Sequence, residues 1–336
     1  MPPLLERLGV ELPVVQAGMG GGLSRHELAA AVSEAGGLGT IAVSGAAAIR
    51  RELTAARALT ERPLAVNLLL PFARRDWFEA AAEADAVVTF WGRPRRRTAG
   101  VWLHQCGSVE EAREAHAAGA DGVILQGVEA GGHVRGTTPA PRLLEEARAA
   151  LPPDFPLLLA GGIAEPVDVR AALEAGATAA VAGTRFLLSE ESRAHALYKE
   201  RLLAADETLL TDLFGAGWPA PHRVVPNAAT ARWLGGVRPF PGIRPEKDER
   251  QQVFGAPTAN RALNRLLAPG ARYTPPSLQL RMIRAQRPGG RVLTPAGPTD
   301  DGPETLVDAG ALYAGETVRR IGDVRPAGDI VRELAG

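Results

Sequence analysis

Between residues 13 and 182 the chain alternates short apolar or β-branched runs with Ala/Glu/Arg-rich stretches, and this period leaves few folds open. Apolar runs at 13–16, 38–43, 64–69, 86–90, 101–105, 122–126, 156–160 and 179–182 have the length and composition of buried strands. Helical patterns fall between them at 24–35, 46–59, 77–84, 109–118, 140–150 and 166–175. Ser108 suits a helix cap followed by Glu110 and Glu111, Pro166 suits a first turn, and Gly36, Gly119 and Gly176 suit helix ends. Strands alternating with helices pair in parallel through right-handed crossovers. Eight repeats in so short a span fit a (β/α)8 TIM barrel better than a doubly wound sheet. The fourth repeat is the exception, because Gly92-Arg93-Pro94-Arg95-Arg96-Arg97 reads as a loop.

At 336 residues the chain is long enough for a barrel and an appendage, and 46% hydrophobic residues supply a large core. Thirty-eight basic residues balance 38 acidic ones, so no global field favours nucleic acid or an anionic membrane. The single Cys106 rules out an internal disulfide and cysteine-based metal sites, and its strand context reads as a buried, inert thiol. No apolar run of about 18 residues suggests a membrane span. The N-terminus lacks a signal-peptide pattern, so a soluble cytoplasmic protein, monomeric or homodimeric, is expected. Texture changes after residue 205. Between Gly217 and Thr299 stand 13 Arg or Lys against three Asp or Glu, with 13 of the 27 prolines. Residues 1–205 therefore read as the barrel and 206–300 as a Pro/Arg-rich ancillary section with short helices at 259–267 and 278–285. That section is either a clamp or lid, or an anion-recruiting face. Residues 301–336 read as a segment returning to the barrel's outer ring through 317–321 and 330–334.

Chemistry in this fold sits past the C-terminal ends of the strands. There the sequence places Gln126-Gly127-Val128-Glu129-Ala130-Gly131-Gly132-His133-Val134-Arg135-Gly136, Gln16-Ala17-Gly18-Met19-Gly20-Gly21-Gly22, Ala160-Gly161-Gly162-Ile163 and Ala182-Gly183-Thr184-Arg185. Leu23 spoils a dinucleotide fingerprint in the second stretch. Glycine loops after the seventh and eighth strands are this fold's phosphate cradle, where backbone N–H groups hold a dianion without lysine. A phosphate there, with glycines after strands 1 and 6, suggests one extended ligand across the barrel mouth, and flavin mononucleotide fits. Met19 suits the ring face, while Asn67, Gln126 and, less well, Gln105 suit its pyrimidine edge. Each polar residue has the alternative of satisfying local backbone. An imidazole ordinarily titrates near neutral pH, which makes His133 the candidate for proton chemistry. The remaining histidines are poorer candidates: His26 and His116 read as exposed on helices, His104 as turned away along its strand, His195 as lying on a polar helix, and His222 as part of the Pro-rich section. No metal-ligand spacing, nucleophile elbow or Walker loop is found.

The ordered set of motifs resembles the nitronate monooxygenase family. It comprises Gln16-Ala17-Gly18-Met19, residues 31–39, Val66-Asn67-Leu68, residues 126–133, residues 160–163, residues 183–187, residues 191–199 and Leu312-Tyr313-Ala314-Gly315-Glu316. The resemblance implies a barrel with non-covalent FMN that oxidises alkyl nitronates with O2 to carbonyl compounds and nitrite. It makes His133 the catalytic histidine. Gly161, Gly162, Gly183 and Thr184 match its phosphate loops, and Asn67, Gln126, Gly131 and Gly132 match its ring-contacting positions; Ala17, Gly18, Met19 and Ala160, in the same stretches, complete the expected cofactor-binding set. Proline commonly stands where this chain has Gly18, and Gly18-Met19 is closer to the related FMN-dependent enoyl-acyl carrier protein reductases.

The chemistry gives these residues roles. A nitroalkane must lose its α-proton before oxidation, and a neutral imidazole accepts that proton or hydrogen-bonds the nitronate oxygens. An alternative activity is NAD(P)H-dependent reduction of enoyl thioesters or quinones, with His133 as proton donor. A flavin-free phosphate-binding barrel needs a Lys or Glu at a strand end, and the only lysines, Lys199 and Lys247, are not so placed.

Overall fold

Two compact units make up the computed structural model, which describes residues 2–234, 253–271 and 273–336. One comprises Met1–Ala130, Arg135–Arg193 and Arg320–Gly336; the other comprises Gly131–Val134 and Ala194–Arg319. The divisions thus fall at 193/194 and 319/320, where the sequence reading put them at 205/206 and 300/301.

The first unit is the barrel. Its strands are β1 (Val14–Gln16), β2 (Gly39–Ile41), β3 (Leu64–Leu69), β4 (Ala86–Phe90), β5 (Val101–Cys106), β6 (Gly122–Gln126), β8 (Leu157–Ala160) and β9 (Ala179–Ala182); β7 (Gly132–His133) belongs to the other unit. They are parallel in the order β1-β9-β8-β6-β5-β4-β3-β2. The ring closes where Gln16 N–H donates to Leu38 O and Leu38 N–H to Val14 O, both at 3.0 Å. Alternate strand residues point inward, so Val15, Ala65, Val88, Leu103, Ile124, Leu158 and Val181 share one interior cluster.

Helix α1 (Pro3–Leu8) adds Leu4, Leu5 and Leu8 to that interior, an element the βα period does not announce. Its signals are local: proline at the first turn, and Gly9 at φ +70° closing the helix with its N–H on Glu6 O. Outside the ring pack α2 (His26–Glu34), α3 (Ala46–Arg57), α4 (Arg75–Ala81), α5 (Val109–Ala117), α6 (Ala140–Ala150) and α7 (Pro166–Glu174). A loop replaces the helix between β4 and β5, as the Gly-Arg-Pro run requires. After β9 comes only α8 (Thr184–Leu187), too short to cover the sheet. The missing outer helix is supplied by α14 (Ala327–Ala335), which packs against α2 and α7 and buries Ala327, Ile330, Val331 and Leu334.

The second unit is built on a four-stranded sheet, β12-β10-β11-β7, with β10 (Leu209–Thr211), β11 (His222–Val224) and β12 (Val253–Phe254). β11 runs antiparallel to both β10 and β7, pairing Thr211 with His222 and His222 with His133. Helices α9 (Ala196–Leu203), α10 (Ala228–Leu234), α11 (Thr258–Ala271), α12 (Pro276–Arg284) and α13 (Thr305–Ala309), and a 3-10 turn at Glu316–Arg320, complete it. Its core gathers Leu209, Leu213, Phe214, Val224, Ala229, Ala256, Leu293 and Ala311. The sequence pattern shows α11 and α12 but not the sheet, because its short strands lie in a Pro/Arg-rich stretch outside the repeating strand–helix period. Part of the Pro/Arg-rich stretch, 235–252, lies outside the described residues.

Candidate active site

Past the C-terminal ends of β1 and β9, the barrel unit brings Ala17, Gly18 and Gly183 together with Asn67, which lies within the C-terminal half of β3. Ala17 N–H donates to Ala182 O at 2.9 Å, and a Cβ built on Gly183 would rest 3.7 Å from the Ala17 methyl. Gln16 is fully buried; its Oε1 accepts from Thr40 N–H at 2.8 Å and its Nε2 donates to Ala17 O. That glutamine therefore holds the loop rather than a ligand. Gly18 lies against Asn67: a Cβ there would stand 2.8 Å from Asn67 Cγ and 3.0 Å from Nδ2. With Asn67 in place, neither proline nor alanine fits at position 18, which gives a physical reason for the departure from the family pattern. Met19 is half-buried against the outer core, its backbone N–H bonded to Ser24 Oγ at 3.1 Å.

The loops after β8 and β9 have the glycine chemistry expected of them. Gly161 and Gly162 both adopt left-handed φ, +108° and +78°, so any side chain there is strained. Successive glycines of this kind turn backbone N–H groups into a concavity suited to an anion. Thr184 is buried at the start of α8, after Gly183. The nearby cations already have partners. Arg320 bonds Asp168 (2.7 Å), Glu165 (2.6 Å) and Gly162 O (3.1 Å), and buried Arg185 bonds Asp323 (2.6 Å). An anion in this cradle would thus rest on backbone N–H groups.

The β6 loop is tied at several points. Gly127 N–H donates to Ala160 O at 2.8 Å, setting Ala160 and Gly161 beside it. Buried Gln126 accepts from Arg135 N–H at 3.2 Å through Oε1, and Arg135 pairs with Glu111 and lies over the Trp91 ring at 5.3 Å. Trp91 is the one non-glycine residue with a left-handed φ among those described, +65°, directly after β4. Glu129, the motif's carboxylate, accepts from Ala140 N–H at the start of α6 (2.9 Å), so its role is to cap that helix.

Gly131, Gly132 and His133 lie in the second unit. A Cβ on Gly131 would strike the Ala314–Gly315 backbone, with Gly315 N at 2.5 Å; Gly132 has φ +74° and open space. His133 is half-buried and walled by aromatic rings. Trp218 stacks on it at 3.8 Å and 25°, His222 meets it edge-on at 5.3 Å, and Tyr313 stands tilted at 5.5 Å. Burial, with His222 adding to it, holds the imidazole well below its ordinary value, so it is neutral at physiological pH.

The proline-rich sequence around His222 gives no sign of its position; β-pairing places it directly opposite His133. Trp218 was missed for the same reason, and Tyr313 entered only as part of a motif. His26 is half-buried, not exposed, with Nδ1 2.7 Å from Glu52 Oε2. His26, Glu27 and Glu52, on α2 and α3, bring three potential ligand atoms within 4.8 Å of one another, a grouping that separation along the chain concealed. His116 is exposed and lies edge-on to Phe155 at 4.6 Å.

The fold places the chain in the class of (β/α)8-barrel enzymes, with glycine-rich loops at the strand ends and, in the second unit, a neutral, aromatic-walled histidine. The nitronate monooxygenase family model matches residues 2–91 and 94–233. A nitronate monooxygenase of Pseudomonas aeruginosa is 35% identical over 299 residues, covering 70% of this chain and 82% of that protein. FabK from Thermotoga maritima has a similar structure, with TM-score 0.72 and 25% identity over 99% of this chain and 94% of that one. The nitroalkane oxidase of Streptomyces ansochromogenes gives TM-score 0.69 and 28% identity over 99% and 96%. The chain belongs to the nitronate monooxygenase family, a family of flavin-dependent oxidoreductases. Among the described residues no helix is long and apolar enough to cross a membrane.

Proposed function

We propose that this chain binds FMN at the barrel mouth and oxidises alkyl nitronates, and neutral nitroalkanes after deprotonation, with O2 to carbonyl compounds and nitrite. The observation that carries the reading is His133, a neutral imidazole held between aromatic rings in the segment that follows β6. The cofactor fit rests on the left-handed Gly161–Gly162 pair, the bare Cβ position of Gly183 and the amides of Asn67 and Gln126. The glycines would hold the phosphate, and Ala17, Gly18, Met19 and the amides would meet the ring. When bound, flavin supplies electron transfer from the nitronate to O2.

The chain's own residues supply the rest. An imidazole that is unprotonated at neutral pH accepts the α-proton of a nitroalkane at a ring nitrogen, and the resulting imidazolium pairs with the nitronate. Its aromatic walls exclude water and limit its rotation. General-base contributions of this kind are worth about 10²–10⁴-fold. His133→Ala is therefore expected to keep its flavin while losing about that factor in kcat on neutral nitroalkanes. Preformed nitronates should be affected less. Full activity of His133→Ala on a neutral nitroalkane would remove the base from the scheme.

The competing activity, NAD(P)H-dependent reduction, is favoured by Gly18, the residue shared with the reductase branch. Anaerobic addition of ethyl nitronate and, separately, NADPH separates the two. Bleaching of the yellow protein by nitronate alone supports the oxidation, and rapid bleaching by NADPH alone supports the reductase.

A further inference from the structure

We propose that His222 is a positioning residue for His133, a ring held in a single tautomer by two backbone hydrogen bonds that fix the edge against which the His133 imidazole is oriented. The inference rests on the reading of His133 as the base. Its geometry is contained in one sheet: β11 and β7 pair so that His222 and His133 are directly opposite, which puts both side chains on one face. Val134 N–H donates to Pro221 O at 2.9 Å and secures the register.

The partners of His222 decide its tautomer. Nδ1 lies 2.9 Å from Ala220 O, a carbonyl that only accepts, so Nδ1 carries the hydrogen. Phe214 N–H donates to Nε2 at 3.3 Å, so Nε2 carries none. A second proton would have to enter at Nε2, where the Phe214 N–H already points. His222 is thereby held in one tautomer beside the proposed base. The Phe214 ring, 5.7 Å from His222, and Tyr313, edge-on at 5.9 Å, hold the His222 ring plane from two further directions.

Among the described residues of this unit, the titratable rings that meet His133 are those of His222 and Tyr313, whose hydroxyl donates to Pro295 O at 2.8 Å. Burial pushes the Tyr313 phenol well above its ordinary range, so it stays neutral. Arg223, the next residue on β11, points to the opposite face by strand alternation and pairs with Glu316 at 3.1 Å. Both titratable neighbours of His133 are thus uncharged, and neither competes for its proton.

The test compares His222→Phe, which keeps a ring edge but loses both hydrogen bonds, with His222→Gln, which offers an N–H to Ala220 and an oxygen to Phe214. The first readout is the NMR titration midpoint of the His133 ring, assigned by its disappearance in His133→Ala. The second is the ratio of turnover on a neutral nitroalkane to turnover on its preformed nitronate. In His222→Phe we expect the midpoint to shift measurably as the His133 ring loses its fixed neighbour, and the turnover ratio to fall about ten-fold. His222→Gln should recover most of both changes. If His222→Phe does not fold, His222→Asn, which keeps the donor to Ala220 but does not reach Phe214, should move the midpoint in the same direction. Unchanged midpoint and ratio in the folded variant would overturn the proposal, as would equal loss in His222→Gln and His222→Phe. His133→Ala with full nitroalkane turnover would sink the base assignment, yet the NMR midpoint would still decide whether His222 positions the ring.

Discussion

Position 18 concentrates what a single residue decides. A Cβ there falls inside the van der Waals shell of Asn67, so the glycine follows from its neighbour. Overpacking of this kind costs about 1–3 kcal/mol, and Gly18→Ala should lower stability to urea by that amount and weaken flavin retention. Adding Asn67→Gly should relieve the clash. Asn67→Ala should not, because it leaves the Asn67 Cβ in the way. If Asn67→Ala rescues as well as Asn67→Gly, the contact is not the source of the penalty. The glycine and the asparagine were both legible as site candidates in the sequence. Their contact was not, because strands β1 and β3 are brought together only by barrel closure. His222 is the same lesson in a sharper form: nothing in Pro219-Ala220-Pro221-His222-Arg223 announces that a two-residue strand 89 positions earlier will pair with it.

Among elements, α1 shows how a local signal outside the main period carries structural weight. Its leucines belong to the barrel's interior cluster, and Leu5 is almost fully buried. Leu5→Ala should cost about 2–5 kcal/mol with a normal flavin spectrum at low temperature, whereas truncation of an exposed helix would cost little. An unchanged thermal midpoint would mean that the interior collapses around the loss. The eight barrel strands were legible because a repeating strand–helix period surrounds them, which marks even the three-residue β1 and β2. The sheet of the second unit was not, since no such period surrounds its strands and only their pairing defines them. The return of α14 to the outer ring was readable from its apolar spacing. The reason for it, a four-residue α8 that leaves the sheet uncovered, appears only in three dimensions.

For the molecule as a whole, acid sensitivity is distributed over both units through histidines buried neutral. Burial holds His104 in the barrel at about 4, with Arg135 adding to it, and burial holds His222 in the second unit at about 4. Each folded value is below the unfolded one of about 6.5, so the unfolded chain binds more protons between those limits. Stability is therefore complete above about pH 6.5 and declines as pH falls toward 4. Each histidine contributes about 2 kcal/mol to the loss between pH 7.5 and 5. The carboxylates act later. Burial raises Glu52 and Asp121, but His26 and Arg51 around the first, and Arg7, Trp102 N–H and Arg96 around the second, more than offset it and leave both lowered. Their stabilisation is present above the unfolded carboxylate value and is lost only as pH falls through the lower folded one. Urea unfolding at pH 7.5 and 5 should thus show a difference that shrinks by about 2 kcal/mol in His104→Asn, and again in His222→Gln. Because the two histidines lie in different units, the reductions should add in the double variant. A pH difference that survives both substitutions would mean that these rings are not the groups whose protonation opens the fold.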